Sequence, residues 1–313
     1  MSPSKPKAPR NRTLTLSPAD WQTHGPRLHQ LTQAISLEAI LDQTVQQDCQ
    51  TAIAHLPAAC VDLLILDPPY NLRENFNGQL FRSRSPDDYL TWFESWLIPL
   101  KRLLKSTASV YICADWQSSA IVYPLLAEHF IVRNRITWER EKGRGAKTNW
   151  KNAAEDIWFC TVSDRYTFNV DAVKLKRRVI APYRDRHGSP KDWQDSRQGR
   201  FRLTHPSNLW TDISVPFWSM PENTDHPTQK PEKLIAKLIL ASSQTGDLVL
   251  DPFLGSGTTS VVAKKLQRHY IGIEVNHEYC CLAEKRLALA ESDRRIQGYT
   301  DGYFWERNSS PSA

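Results

Sequence analysis

The sequence predicts an α/β fold in which a mostly parallel sheet carries helices on both of its faces. Continuous apolar runs of strand length alternate along the chain with segments whose apolar residues recur at helical spacing. Two of these runs end in motifs rich in proline or glycine, and such motifs often build the ligand site of an open α/β sheet. The 313 residues, 40% hydrophobic and 24% charged, suffice for one or two globular domains.

The first half of the chain supplies most of the predicted strands. Residues 1–32 are polar and begin with a basic run that no apolar segment follows, so we predict a disordered basic arm and not a secretory signal. A short strand is predicted to end near Asp48, and residues 60–66 have the continuous apolar pattern of a strand buried on both faces. Ser85, followed by a proline and two acids, predicts the start of a helix. Further strands are predicted at residues 109–114, 131–138 and 157–162, with part of a helix over residues 121–130.

The second half begins with a break in this pattern, where we predict a long irregular insertion of the kind that commonly carries function. Order returns with a helix that starts at Pro231 and a strand over residues 247–250. A glycine-rich turn and a helix follow, then a strand that ends at Glu274, and a last helix is predicted from His277. The predicted organisation is an arm (1–32), an α/β domain (33–170 and 224–292), the insertion (171–223) and a polar tail (293–313).

Positive charge is concentrated in the insertion. The chain has 40 Lys and Arg against 34 Asp and Glu, a formal net charge of +6. Between Asp171 and His205 there are ten Lys or Arg and four Asp, so this segment alone carries a surplus equal to that of the whole chain. Such a one-sided segment predicts a surface that contacts nucleic-acid phosphates. The arginines predicted to contact DNA are Arg177, Arg178, Arg184, Arg186, Arg200 and Arg202.

The six cysteines lie mostly within apolar runs, and none forms a CxxC pair. This usage favours buried, reduced thiols in a cytoplasmic protein over disulfides or a metal site, and we predict no bound metal. No apolar stretch approaches the roughly 18 residues that a membrane-spanning helix requires.

Residues 247–274 have the pattern of a nucleoside-binding site. A strand enters a turn that contains Gly255 and Gly257, a helix follows, and the next strand ends in Glu274, nineteen residues after Gly255. Glycines let the backbone approach a ligand, and the acid can accept hydrogen bonds from ribose hydroxyls. Because a threonine replaces the third glycine of the dinucleotide fingerprint and no P-loop motif occurs, a nucleoside without phosphates fits best, and S-adenosylmethionine is the common one. The alternative is a purely structural strand–turn–helix unit.

The motif Asp67-Pro68-Pro69-Tyr70 follows a predicted buried strand and should lie at the ligand edge of the sheet. The carboxylate of Asp67 and the carbonyl of Pro68 can accept the two N–H bonds of an exocyclic amino group, which stabilises the positive charge that develops on its nitrogen during methyl transfer. The prolines add rigidity and no competing donor. Tyr70 offers a flat surface on which an extruded base can stack. The alternative is a plain proline turn.

Together these motifs resemble the amino-methyltransferases of bacterial restriction–modification systems, in the β order of motifs. In that order the DPPY motif, here residues 67–70, precedes a target-recognition region, here residues 171–223, and the FxGxG motif, here residues 253–257. Residues 225–233 (DHPTQKPEK) resemble the family motif before FxGxG, and residues 47–49 resemble its GD-C element with a glutamine in place of the glycine. The resemblance implies a Rossmann-like S-adenosylmethionine-dependent methyltransferase fold with a circularly permuted motif order.

The resemblance also implies roles for individual residues. Asp48 would hold the adenine amino group of the cofactor, Phe253 would pack beside that ring, and Glu274 would bind the ribose. The methionine end of the cofactor would be lined by Thr228, Lys230 and the glycine-rich turn. For Lys230 the alternative is a solvated lysine at the start of a helix. The complete set predicted to bind S-adenosylmethionine is Asp48, Cys49, Asp67, His226, Thr228, Lys230, Asp251, Phe253, Gly255, Ser256, Gly257, Thr258 and Glu274.

Residues 67–70, the catalytic loop, suit methyl transfer both to N6 of adenine and to N4 of cytosine. In the family that the chain resembles, an Asp at the first motif position leans toward adenine, so we predict N6 of adenine in duplex DNA, with N4 of cytosine as the alternative. Methylation of cytosine C5 is disfavoured because no Pro-Cys pair occurs. The order of the motifs makes an enzyme that acts on RNA or on a protein amide less favoured. The retention of every motif argues against a non-catalytic DNA-binding module. The predicted protein is a monomer or homodimer, and any restriction endonuclease would be a separate chain.

Overall fold

Strands and helices alternate along the chain, as a computed structural model shows for residues 8–76, 79–140, 147–180, 183–196 and 199–306. The helices are α1 (Pro18–His24), α2 (Leu37–Ile40), α3 (Cys49–Ile53), α4 (Pro86–Lys101), α5 (Trp116–His129), α6 (Glu232–Ser242), α7 (Thr258–Lys265) and α8 (His277–Ser292). The first strands are β1 (Gln43–Gln46), β2 (Val61–Leu66), β3 (Glu74–Phe76), β4 (Gln79–Phe81), β5 (Leu104–Ala114), β6 (Ile131–Glu139) and β7 (Ala154–Thr161). The others are β8 (Leu175–Arg178), β9 (Gln194–Ser196), β10 (Gly199–Thr204), β11 (Leu209–Trp210), β12 (Leu248–Asp251), β13 (His269–Glu274), β14 (Tyr299–Thr300) and β15 (Tyr303–Trp305).

The central sheet has eight strands in the order β1-β13-β12-β2-β5-β7-β6-β11. The first five strands in this order are mutually parallel, whereas β7 is antiparallel to both of its neighbours. Strand β12 lies beside β2, with Val249 opposite Leu63 and Leu250 opposite Leu64. Parallel neighbours end at the same edge of a sheet, so the motifs that follow β2 and β12 meet although they are far apart in sequence. The predicted mostly parallel α/β sheet is confirmed.

Strand β2 shows why helices cover both faces of the sheet. Leu64 and Leu66 belong to the apolar cluster that contains the buried face of α4, and Leu63 and Ile65 belong to the cluster that contains α6 and α7. Successive side chains of a strand point to opposite faces, so a continuous apolar run requires a cover on each side. Each fully buried side chain of this size contributes about 1.5–3 kcal/mol relative to its exposure.

Helix α4 begins where the sequence predicts. The Ser85 side chain accepts a hydrogen bond from the Asp88 backbone and caps the helix, and Pro86 occupies its first position. Tyr89, Phe93 and Trp96 recur on one face and are buried against the sheet. The helix thereby closes the side of the core that lies next to β2 and β5.

The prediction of a disordered arm is wrong for residues 8–32. Ser17 and Asp20 form a capping box that starts α1, and Leu14 forms an isolated bridge with Thr224. Trp21 stacks on His277 at a centroid distance of 5.4 Å, which attaches α1 to α8. The signal was present in the sequence, because a serine followed three residues later by an acid marks a helix start. Residues 1–7 of the predicted arm lie outside the described residues.

The strands within residues 175–204 of the predicted insertion and within residues 299–305 of the predicted polar tail form one small sheet, in the order β14-β15-β8-β10-β9. The interpretation of residues 293–313 as a plain tail is therefore wrong for Tyr299–Trp305, and the insertion is less irregular than expected. Strand β11 also lies within the predicted insertion but pairs with β6 in the central sheet, so the predicted boundary of the insertion is wrong there. Phe304 and Trp305 are buried, and the Lys176 ammonium lies 4.5 Å from the centre of the Trp305 ring. Aromatic side chains from the C-terminal strands thus complete a small core to which the insertion strands contribute Leu175 and Phe201.

All six cysteines are free thiols and are buried. None of the described helices is long and apolar enough to cross a membrane.

Candidate active site

A cavity of about 190 Å³ opens where the loops after β2 and β12 meet. Asp67, Pro68 and Tyr70 line it from the first loop, and Phe253 and Gly255 line it from the second. The predicted meeting of the two motifs is therefore present in the fold. The other predicted cofactor residues that line this cavity are His226, Thr228, Lys230, Asp251, Ser256, Thr258 and Glu274.

The two glycines of the turn have different physical roles. Gly255 has φ +54°, and a Cβ at this position would lie 2.9 Å from His226 Nε2, in the wall of the cavity. Gly257 has φ +86°, and its Cβ would lie 2.5 Å from the Ala283 Cβ on α8. Gly257 does not line the cavity. Glycine is required at position 257 because α7 packs closely on α8. Of the two glycines, only Gly255 presents its backbone to the cavity, as the sequence predicts for both.

Glu274, at the end of β13, anchors the turn from the side. Its carboxylate accepts a hydrogen bond from the Gly255 backbone N at 2.9 Å and another from the Asn276 backbone N at 2.8 Å. Burial raises the pKa of Glu274 above its ordinary value. A carboxylate has about four acceptor positions, so these two bonds do not exhaust it, and Glu274 lines the cavity.

Asp251 holds the start of the turn from inside the protein. Its carboxylate accepts hydrogen bonds from Thr259 Oγ1 at 2.5 Å and from the Phe253 backbone N at 2.9 Å. Burial raises its pKa to about 7. Behind the turn, the buried Arg286 of α8 donates to the Ser256 carbonyl and to Thr258 Oγ1, a contact that no sequence motif indicated.

Asp48 and Cys49 lie just outside this cavity. The Asp48 side chain caps α3 by accepting from the backbone of the next turn, and burial raises the pKa of Cys49 to about 12. The Gln47 backbone N donates to the carbonyl of Glu274, which lines the cavity. Asp48, the next residue along the chain, therefore lies near the cavity. Neither Asp48 nor Cys49 lines the cavity, although Asp48 lies at the edge of the sheet where β1 ends.

Asp67 is held in one orientation by Lys230 and Tyr70. The Lys230 ammonium lies 2.7 Å from Asp67 Oδ1 and 2.8 Å from Oδ2, and the Tyr70 hydroxyl donates to Oδ1 at 3.0 Å. These bonds use three of the four acceptor positions of the carboxylate and leave one on Oδ2. The Pro69 carbonyl accepts from the Tyr89 hydroxyl, whereas the Pro68 carbonyl has no partner among the described residues. The loop therefore offers two acceptors, Asp67 Oδ2 and the Pro68 carbonyl oxygen.

Lys230 is not the solvated lysine that was one of the two alternatives, since its side chain is only 7% exposed. Its ammonium also lies 3.3 Å from Glu155 Oε2, and Glu155 forms an ion pair with Arg140. Sequence reasoning missed Glu155 and Arg140. The available signal was a pair of acids, Glu155 and Asp156, at the start of strand β7, of which Glu155 points to the buried face, since a buried charge in a site commonly serves function.

The six predicted DNA-contacting arginines lie on or between β8 and β10. Arg177 pairs with Glu306, and Arg202 pairs with Asp192. The guanidinium carbons of Arg184 and Arg200 lie 5.3 and 5.2 Å from the ring centre of the buried Trp193, which orders two charges on the surface of the small sheet. The four arginines that are exposed to solvent are Arg178, Arg184, Arg186 and Arg200.

Comparison with known proteins identifies the family. A family model of N6 and N4 methyltransferases, described as DNA methylase, matches residues 61–285. The chain belongs to this family. It is therefore an S-adenosylmethionine-dependent DNA amino-methyltransferase with β-order motifs, and the predicted fold, cofactor and enzyme class are confirmed.

Relatives of this methyltransferase cover most of its length. It is 34% identical over 253 residues to the DNA adenine methyltransferase YhdJ of Escherichia coli K12, spanning 79% of this chain and 82% of that protein. It is 33% identical to the type II methyltransferase M.HpaI of Haemophilus parainfluenzae, spanning 75% of this chain and 71% of that protein.

Solved structures support the fold of the methyltransferase. The complex of M1.HpyAVI with S-adenosylmethionine matches 78% of this chain and 99% of that chain, with 25% identity and a TM-score of 0.50. The cytosine-N4-specific PvuII DNA methyltransferase matches 78% of this chain and 85% of that chain with a TM-score of 0.58. At 18% identity, the PvuII enzyme supports the shared fold alone.

Proposed function

We propose that this methyltransferase modifies N6 of adenine in duplex DNA, on a base that has been extruded into the cavity between the two loops. The observation that carries this proposal is the pair of free acceptors, Asp67 Oδ2 and the Pro68 carbonyl oxygen, beside the glycine-rich turn. The curated relative from Escherichia coli is named as a DNA adenine methyltransferase, which supports adenine over cytosine.

The two acceptors account for the activation of a poor nucleophile. The lone pair of an exocyclic amino nitrogen is delocalised into the ring, and accepting both N–H bonds favours a tetrahedral nitrogen whose lone pair can attack. Asp67 and Pro68 also stabilise the positive charge that develops on that nitrogen. The nitrogen forms a bond to the methyl carbon, the electron pair of the carbon–sulfur bond stays on sulfur, and the resulting ammonium then loses a proton. Alignment supplies most of the acceleration, so no separate general base is required.

The residues of the cavity fit S-adenosylmethionine, which supplies an electrophilic methyl group on a sulfonium when bound. We propose that Glu274 accepts from the ribose hydroxyls and that the Phe253 ring packs beside the adenine. The bare backbone at Gly255 leaves room for the ligand, because a Cβ there would occupy the wall beside His226. Asp48 at the end of β1 would accept from the adenine amino group.

Nucleoside analysis tests the proposed base directly. Unmethylated genomic DNA incubated with the protein and S-adenosylmethionine is expected to yield N6-methyladenine by mass spectrometry after digestion. DNA incubated without the protein is the control. The appearance of N4-methylcytosine without N6-methyladenine would show that cytosine is the target, the alternative that the catalytic loop also suits.

We further propose that the exposed arginines of the small sheet contact DNA phosphates. Each contact between the protein and a DNA phosphate displaces counterions, so the affinity for DNA should fall steeply as the salt concentration rises. Replacing Arg184 and Arg200 with alanine is expected to reduce the slope of log affinity against log salt by about 1 for each lost contact. The comparison is a salt titration of DNA binding by fluorescence anisotropy for the variant and the parent protein.

A matched control for this experiment is Arg295, whose guanidinium is also exposed but pairs with Asp293 near the end of α8. Arg295→Ala should leave the salt slope unchanged. A slope that stays the same in the Arg184 and Arg200 variant would contradict the proposed DNA surface.

We propose that the protein acts in the cytoplasm as a monomer or homodimer and that any restriction endonuclease is a separate chain. The free, buried thiols are consistent with a reducing compartment.

A further inference from the structure

A cluster of four charged side chains, two of them buried and two partly exposed, lies against the catalytic loop, and two of its members, Glu155 and Arg140, belong to no motif in the sequence. The Lys230 ammonium bridges the carboxylates of Asp67, at 2.7 Å, and Glu155, at 3.3 Å. Glu155 in turn pairs with Arg140 at the start of the β6–β7 connection. The side chains of Lys230 and Glu155 are 7% and 3% exposed, so water screens these charges poorly.

The cluster contains two cations and two anions. Burial alone would lower the pKa of Lys230, but the carboxylates of Asp67 and Glu155 raise it above its ordinary value, so Lys230 stays charged. Burial and the same two carboxylates raise the pKa of Tyr70, which keeps its hydroxyl protonated as a donor. If the charge of Glu155 were removed, the remaining three charges would sum to a positive value.

This balance matters for the reaction because the amino nitrogen becomes positive during methyl transfer. A net positive cluster behind Asp67 would oppose that charge, whereas a balanced cluster leaves the carboxylate of Asp67 effective. Glu155 also gives Lys230 a second anion, so that the ammonium remains bound in the protein interior while Asp67 accepts from the substrate.

We propose that Glu155 is a positioning residue for methyl transfer, which offsets the charge of Lys230 so that Asp67 presents its free Oδ2 acceptor to the substrate amino group. The inference rests on the proposed role of Asp67 in accepting from that group. Glu155 is not proposed to touch substrate or cofactor; it acts through Lys230, Arg140 and the Tyr70 hydroxyl, which lies 3.3 Å from Glu155 Oε2.

The test compares three variants by single-turnover transfer of tritium from labelled S-adenosylmethionine to saturating unmethylated genomic DNA. Glu155→Gln keeps the shape of the side chain and is expected to lower the transfer rate by about 30-fold with little change in cofactor affinity. Adding Arg140→Gln restores the charge balance and is expected to recover at least part of the rate. Asp156→Asn is the matched control, because it removes one acid from the same strand on the opposite face and should transfer at the parent rate.

A pH profile separates this role from a merely structural one. The groups that face Lys230 are Asp67, Tyr70, Cys113 and Glu155. Removing the charge of Glu155 removes one of the carboxylates that raise the pKa of Lys230. Loss of the Lys230 proton at alkaline pH would remove the excess positive charge of Glu155→Gln, so the rate deficit of this variant against the parent should shrink as pH rises, whereas Asp156→Asn should follow the parent at every pH.

Two outcomes would overturn the proposal: a Glu155→Gln protein that transfers at the parent rate, or a double variant that is no faster than the single one. If Glu155→Gln alone does not fold, the double variant is compared with the parent, and a loss as large as that of Asp67→Ala would also overturn it. The tritium readout does not depend on which base is methylated, so a wrong assignment of adenine would leave this test intact.

Discussion

Replacing Asp67 with alanine is expected to lower the rate of methyl transfer by about 100- to 1,000-fold, the usual effect of removing one group that stabilises developing charge. The variant loses the Oδ2 acceptor and leaves only the Pro68 carbonyl to hold the amino group. Its fold should survive, because Lys230 keeps Glu155 as an anionic partner at 3.3 Å. Tritium transfer to DNA measures the rate, and isothermal titration measures the affinity for S-adenosylmethionine.

The control for this variant is Asp62→Ala. Asp62 lies on β2, the strand that leads into Asp67, and forms an ion pair with Lys105 at 2.8 Å. Its removal therefore also deletes an acid and its contact with a cation. It lies near the opposite end of the strand and should not change the transfer rate. Equal rates for Asp67→Ala and the parent protein would remove Asp67 from the mechanism.

The two glycines of the turn should separate stability from binding. Gly257→Ala is expected to lower the free energy of unfolding by about 3 kcal/mol, because a methyl group there overlaps Ala283 and because φ is positive. Gly255→Ala should leave most of the stability and weaken cofactor affinity by about tenfold, or 1.4 kcal/mol, because its methyl group pushes His226 into the cavity. Urea denaturation and titration of S-adenosylmethionine measure the two quantities.

Gly246→Ala isolates the backbone contribution to these effects. Its φ is +85°, close to that of Gly257, but a Cβ there would meet nothing within 4 Å. It should cost only about 1 kcal/mol of stability. If Gly257→Ala were no more destabilising than Gly246→Ala, close packing of α7 on α8 would not be the reason for this glycine.

The inner strands of the central sheet could be predicted from the sequence because they are buried on both faces. Such strands are continuous apolar runs, and the predicted run at residues 60–66 matches β2 to within one residue. The meeting of the DPPY and FxGxG loops could also be predicted, since each loop follows a parallel strand and the ligand edge of such sheets is known.

The small sheet could not be predicted from apolar pattern alone because its strands are short and half exposed. One signal was nevertheless present: Asp301 and Gly302, which both have positive φ, form a two-residue turn between aromatic residues. The strands on either side of this turn are β14 and β15. Their partner β8 precedes them by more than a hundred residues, so nothing local indicates the pairing.

The charge cluster behind the catalytic loop was hidden for a similar reason. Lys230 stands at the start of a helix, where a lysine is usually solvated, and Glu155 stands within a strand that has no recognisable motif. Only the arrangement of β2, β7 and the start of α6 brings the two side chains together. A site built from such distant elements becomes visible only when the order of the strands is known.

The most direct test of the proposed function is a crystal structure of the protein with duplex DNA and a cofactor analogue that has no transferable methyl group. We expect an extruded base in the cavity, with its amino nitrogen within about 3.2 Å of both Asp67 Oδ2 and the Pro68 carbonyl oxygen. An extruded base whose amino group binds elsewhere, with Asp67 still bonded only to Lys230 and Tyr70, would contradict it.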